Sequence, residues 1–290
     1  MFSLILQSPA KLNLYLEVVN KRPDGYHDLV TLFERIDLYD ELKFTVNSSG
    51  RIKLFCSHPQ VPVGPKNLIY RAARLLQEEY GVSQGVDVHI TKRIPVAAGL
   101  AGGSSNAATT LVALNRLWKL KLSREQLVRY GKRLGADVAF FLYDTPWALG
   151  TERGDKIKKL SIQPRLWHIL VTPKLKMYTR KVFENLKLRG RTNMLTKNND
   201  DVNIFIRSLR KNNINAIGSF LRNDLENTIV KLVPDLKELK DKLKGLNTKG
   251  VSFSGSGPSL FGLTENQKQA EELKGILQRQ YTQVFAVRTF

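Results

Sequence analysis

Along its first ninety residues the chain alternates apolar and polar positions in short runs, the pattern of strands with one face buried. The runs are Ser3–Gln7, Ala10–Val18, Leu29–Leu38, Glu41–Val46, Arg51–Cys56 and Val86–Ile90, broken by turn signals such as Pro23-Asp24-Gly25. In the second run Ala10, Leu12, Leu14 and Leu16 take one face, and Lys11, Asn13, Tyr15 and Glu17 take the other. Period-3.6 patterns then predict helices over Asn67–Tyr80, closed by Gly81, and from about residue 104 to Trp118. A third helix, Ser123–Leu134, opens on a Ser123/Gln126 capping box and ends at Gly135.

Past a charged connection at Gly154–Leu160 the order changes. A strand at Leu166–Val171 and helices within Asp200–Lys244 precede strands at Gly250–Phe253 and Ser259–Leu263; a helix at Asn266–Gln280 and a strand at Gln283–Arg288 follow. The order β, α, β, β, α, β predicts a ferredoxin-like split βαβ sheet. The polar stretch Lys187–Asp201 reads as a surface loop.

Length and composition admit one large domain or two ordinary ones: 290 residues, 42% hydrophobic. The single cysteine, Cys56, excludes an intramolecular disulfide framework and fits a reducing compartment. No run is long enough to span a membrane, and the first residues lack the basic start of a signal peptide, so a cytoplasmic protein is expected. The net charge of +20 is unevenly placed, with 16 Lys and Arg against 5 Asp and Glu between Thr151 and Asn212. That stretch is a solvated face, a device that steers anionic substrates, or a nucleic-acid surface; no nucleic-acid-binding motif supports the last.

The densest chemical signal is PVAAGLAGGSSNAA: Pro95, Val96, Ala97, Ala98, Gly99, Leu100, Ala101, Gly102, Gly103, Ser104 and Ser105, running into Asn106 and a helix. Glycines let a backbone approach a ligand closely, and the unpaired amides at a helix start attract phosphate. The string is neither a Walker A loop nor a dinucleotide fingerprint. On residue type alone it is a phosphate cradle or a tight turn with a serine N-cap. Asp137, after a helix end, is a turn aspartate or a proton acceptor. Lys11 is an exposed-face lysine or a partner for that carboxylate, and Ser254–Ser259 is a hairpin turn or a source of amides for a ligand.

Three clusters in this order, PAKLNL at Pro9–Leu14, the Pro95–Ala108 loop and SGSGPS at Ser254–Ser259, resemble the three motifs of the GHMP kinase superfamily. RPDGYHDLVTLF at Arg22–Phe33, NLIYRAARLL at Asn67–Leu76 and LGADVAFF at Leu134–Phe141 are similar to its 4-diphosphocytidyl-2-C-methyl-D-erythritol kinase branch. The resemblance implies an α+β fold of two domains. Residues 1–158 would form a ribosomal-protein-S5-domain-2-like ATP-binding domain, and residues 159–290 a C-terminal ferredoxin-like split βαβ domain.

It also implies ATP-dependent phosphorylation of the 2-hydroxyl of a cytidine-diphosphate substrate in the non-mevalonate isoprenoid pathway, with Mg²⁺ brought by ATP. Its protein ligands are not identified, Ser105 being the one residue suggested. Lys11 and Asp137 match the catalytic pair. Pro95–Ser105 and Asn67 match the ATP site. Asn13, Tyr26, His27, Thr179, Phe183 and Asp137 match the substrate site, with Tyr178 an alternative to Phe183, and Gly255, Ser256 and Gly257 form the third glycine loop. Ala101, where many relatives have glycine, is expected to keep an unstrained φ, and Ala139 stands where proline is expected. The remaining alternatives are another GHMP small-molecule kinase, of homoserine or mevalonate type, and an inactive kinase-like protein that binds nucleic acid through residues 151–212.

Overall fold

The structure, a computed structural model, describes residues 2–187 and 197–290. Two very long strands organise it. β1 (Ser3–Lys21) and β2 (His27–Asn47) pair antiparallel along their whole length, each merging two of the runs predicted as separate strands. The pairing survives two changes of phase because β-bulges interrupt it at Pro9/Ala10, Asn13/Tyr15 and Val18/Asn20. The second bulge corrects the simple alternation: Tyr15 joins Ala10, Leu12 and Leu14 in one core, and Leu16 turns into another.

β3 (Ile52–Cys56), α1 (Leu68–Glu79), β4 (Gly85–Thr91), α2 (Gly102–Leu117), α3 (Arg124–Leu134) and α4 (Val138–Leu142) follow. The charged connection is in fact a hairpin, β5 (Trp147–Thr151) and β6 (Lys156–Lys159), turning at Gly154 with φ +84° and pairing β5 to β2. The first sheet runs β3-β4-β2-β1, with β5 paired to β2 and β6 paired to β5. Helices α1 to α4 cover it through a core that includes Phe44, Leu76, Val88, Leu111 and Val138. The Ser123/Gln126 capping box forms as predicted.

The second half contains β7 (Trp167–Val171), α5 (Thr179–Glu184), α6 (Lys197–Arg210), α7 (Ile214–Ser219), β8 (Arg222–Asn223), α8 (Glu226–Leu232), α9 (Asp235–Gly245), β9 (Gly250–Phe253), β10 (Leu260–Thr264), α10 (Gln267–Leu277) and β11 (Val284–Arg288). Its antiparallel sheet has the order β11-β7-β10-β9, the split βαβ arrangement the sequence predicted. Of the stretch predicted as a surface loop, residues 188–196 lie outside the described residues, and from Lys197 onward it is helical. One face of this sheet shares a core with the first sheet: Leu170, Phe261 and Val287 pack with Leu12, Leu14, Ile36 and Trp147. β8 crosses over entirely and extends the first sheet, parallel to β1 at Tyr15–Leu16.

Candidate functional site

Lys11 is neither exposed nor ordinary. It is 3% exposed, its amide donates to Leu100 O at 3.2 Å, and its Nζ donates to Asn13 Oδ1 and lies 5.8 Å from the Phe33 ring centroid. Asn13 passes the chain of bonds on, Nδ2 donating to Thr31 Oγ1 at 2.8 Å and that hydroxyl to Tyr15 O at 2.8 Å. Burial pushes the Lys11 pKa below that of an ordinary lysine, and the charge of Asp137 pulls it back up. Asp137 stands half-buried at the head of α4 without capping the helix through its side chain. Thus Lys11, Asn13 and Asp137, predicted together, are found together, with the ammonium hydrogen-bonded to the asparagine and coupled to the carboxylate through its field.

The two glycine loops meet over this group. Ser254 Oγ donates to Gly99 O at 3.0 Å, and a Cβ added at Gly99 would stand 2.1 Å from Ser254 O. At Gly255, φ +54°, an added Cβ would come within 3.3 Å of Lys11 Nζ, Asn13 Oδ1 and Gly99 O. Gly99 therefore requires glycine by contact, and at Gly255 a side chain would be both strained and tightly fitted. Thr179 Oγ1 and Ser256 Oγ are hydrogen-bonded at 2.8 Å, joining two further predicted residues, and Gly257 packs beside Ile229 and Met177.

Several predicted details are corrected. Helix α2 begins at Gly102, so Ser104 to Asn106 lie inside its first turns and the cap is Ala101, which has φ +53° and caps nothing through its side chain. The expectation of an unstrained Ala101 fails because the chain must reverse sharply to aim the first α2 amides, and Ala97 at φ +55° does the same. Ser105 is fully buried, its hydroxyl hydrogen-bonded with Ser8 Oγ at 2.8 Å, while Ser8 Oγ also lies 2.7 Å from Asn106 Oδ1. Asn67, expected at the ATP site, also caps α1, accepting from Ile69 N at 2.8 Å and donating to Pro62 O at 2.6 Å.

At the far end, Tyr26 is 57% exposed at the tip of the β1–β2 hairpin, under the Arg153 guanidinium at 5.2 Å. His27 is buried against Phe183, ring centroids 5.0 Å apart and tilted by 31°. Burial, with the Lys21 charge, depresses its pKa, favouring neutral imidazole. Tyr178 remains exposed.

Sequence reasoning missed two braces. Asn223, on the two-residue strand β8, donates to Phe253 O and Gly255 O at 2.9 and 2.8 Å and so fixes the third glycine loop. Asp40, fully buried, accepts from Lys92 Nζ and from the amides of Arg93 and Ile94, anchoring the approach to Pro95. Only the unusual burial of polar residues marks either, and the sequence does not display burial.

Comparison with known proteins gives the family. Residues 67–145 match the GHMP kinases N terminal domain and residues 205–283 the GHMP kinases C terminal. A 4-diphosphocytidyl-2-C-methyl-D-erythritol kinase of Syntrophus aciditrophicus is 41% identical over 99% of both chains. The chain belongs to this kinase family. The Bacillus subtilis relative is 39% identical over 98% of this chain and 96% of its own. A crystal structure of 4-(cytidine 5'-diphospho)-2C-methyl-D-erythritol kinase superposes with a TM-score of 0.82 at 33% identity, covering 98% of each chain. Membership of this family makes the chain a small-molecule kinase with the two-part GHMP fold, and ATP the family's phosphoryl donor. No helix among the described residues is long and apolar enough to cross a membrane.

Proposed function

We propose that the chain phosphorylates the 2-hydroxyl of 4-diphosphocytidyl-2-C-methyl-D-erythritol with ATP, yielding the 2-phosphate and ADP in the methylerythritol phosphate route to isoprenoids. The observation that carries the reading is the convergence of Lys11, Asn13 and Asp137 beneath two interlocked glycine loops. Gly102 and Gly103, at the head of α2, supply amide donors to phosphate with no side chain of their own in the way. Asp137 takes the proton of the attacking hydroxyl as oxygen bonds to the γ-phosphorus and ADP departs. Lys11 offsets the negative charge gathering on the transferred group, and Asn13 holds its ammonium in place. His27 and Phe183 supply the aromatic surface and neutral ring nitrogen for the cytosine, and Tyr26 a further face. Thr179, tied to Ser256, links that end to the third glycine loop.

Mg²⁺ enters with ATP. Among the described residues no group of three or more His, Cys, Asp or Glu is placed to hold an ion, and Ser105 is engaged with Ser8. The donor set thus fits a metal carried mainly by phosphate oxygens. The deciding experiment follows ADP release and ³¹P NMR with Mg·ATP and 4-diphosphocytidyl-2-C-methyl-D-erythritol, with mevalonate and homoserine alongside. A new phosphomonoester from the cytidine substrate alone is expected; turnover of either other acceptor in its place would overturn the substrate assignment.

A further inference from the structure

Away from the glycine loops, between the second half of α2, the start of α3 and the end of α4, lies a cavity of about 420 Å³. Val112, Leu127, Phe141 and Leu142 form its apolar wall, and three arginines line it, the buried Arg35 and the exposed Arg116 and Arg124. The opposing charge is the exposed carboxylate of Asp144, beside the Tyr143 carbonyl. A second cavity of about 190 Å³ shares Arg35, Val112 and Phe141 with it and continues towards Phe290.

Arg35 is the unusual member. It is 8% exposed, and its Nη2 donates to Tyr143 O at 2.6 Å, but its buried Nε has no hydrogen-bond partner. The rings of Phe140 and Phe290 lie 5.6 and 5.9 Å from its central carbon, so aromatic contacts are already made. Its Nε–H is enclosed by protein and left without an acceptor. Arg116 and Arg124 have no ion pair among the described residues. Three arginines against one aspartate, beside an apolar wall, make a receptor for an oxyanion attached to a hydrophobic group.

We propose that this cavity is a second ligand site, in which Arg35, Arg116 and Arg124 bind the phosphate or carboxylate of a small, partly apolar molecule. Its position gives it access to the reaction centre. Helix α4 carries Asp137 at its head and Leu142 at the cavity, while Phe140 stacks on Phe33 at 4.8 Å, the ring beside Lys11.

The test titrates phenyl phosphate and benzoate, by calorimetry, into the full chain with its nucleotide site saturated by a non-hydrolysable ATP analogue. The same titrations are run on the exposed double variant Arg116→Ala/Arg124→Ala and on Arg35→Met. At least one probe should bind the wild type, and the double variant should bind it about tenfold or more weakly, the scale of lost charged hydrogen bonds. The double variant should keep its turnover of Mg·ATP, which separates this site from the active one. The probe that binds identifies the anion as phosphate or carboxylate. Absence of binding by both probes, or equal affinity in the double variant, would overturn the proposal.

Discussion

The two ends of the site are built differently. Around Lys11 the contacts are short, buried and drawn from distant parts of the chain: Leu100 O, Asn13, Gly99 and Ser254 are tied into one unit, and Asn223 braces it from behind. Around Tyr26 the elements are a hairpin tip and a helix of six residues, the contacts are between rings, and the tyrosine is largely in solvent. A preorganised cluster stabilises charge without reorganising at the moment of reaction, whereas ring surfaces contribute binding that is much the same in ground and transition states. The first region should therefore govern kcat and the second KM.

The hardest blow to that division is at Asp137. Asp137→Asn keeps the size and position of the side chain but removes the proton acceptor, so kcat should fall by about 10² or more with KM little changed. Steady-state kinetics with both substrates check this; an unaltered kcat would remove the carboxylate from proton transfer. At the other end, Phe183→Ala and His27→Ala should raise KM for the cytidine substrate by about tenfold each, the loss of roughly 1.4 kcal/mol of stacking, while kcat stays within about twofold. A collapse of kcat in either variant would mean that the two regions are not separable.

The pH dependence sharpens the comparison. Lys11 has a pKa lowered by burial, so it loses its proton as pH rises at a value below the ordinary 10.5, and turnover should decline through that window. Asp137 acts on Lys11 in the opposite sense, raising its pKa. In Asp137→Asn the residual activity should consequently show its alkaline limb at lower pH than the wild type. A limb that stays in place would mean the two groups are not coupled. His27, with its depressed pKa, is neutral at physiological pH, so KM should be flat there and rise only on acidification.

What the sequence disclosed follows the same line. The strands of the second sheet, the capping box and the two glycine loops were legible because each rests on local chemistry: periodicity, a cap, a backbone that favours glycine. The merging of four predicted runs into β1 and β2 was not, because bulges carry the pairing past Pro9 and past Leu14. The β5–β6 hairpin was obscured by its lysines, which are exposed at Lys156, Lys158 and Lys159 while Ile157 alone points inward. Of the site residues, Lys11, Asn13, Asp137 and the two loops lie together, and His27 meets Phe183. Asn67 and Ser105 also bond structural partners, Ile69, Pro62 and Ser8, contacts that no motif encodes. Residues 1–158 and 159–290 remain our proposed domains; β8 and a shared core cross that division, so the two are bound by more than the connecting chain.

The smallest effect should come from Ala101, at the junction between the phosphate loop and α2. At φ +53°, ψ +28° an alanine methyl crowds the following carbonyl, a cost of about 1 kcal/mol that glycine escapes. Against this, glycine loses more backbone freedom on folding, by about 0.4–1 kcal/mol. The left-handed strain should prevail narrowly, so Ala101→Gly is expected to raise the melting temperature by up to about 2 °C. Because the loop already holds that conformation, kcat should change by less than about twofold. A stabilised variant with unchanged kcat would show that the strain is borne by the fold and not used in turnover. A variant that is both more stable and several-fold slower would tie the left-handed turn at Ala101 to catalysis, and would extend the rigid half of the site from Lys11 to the head of α2.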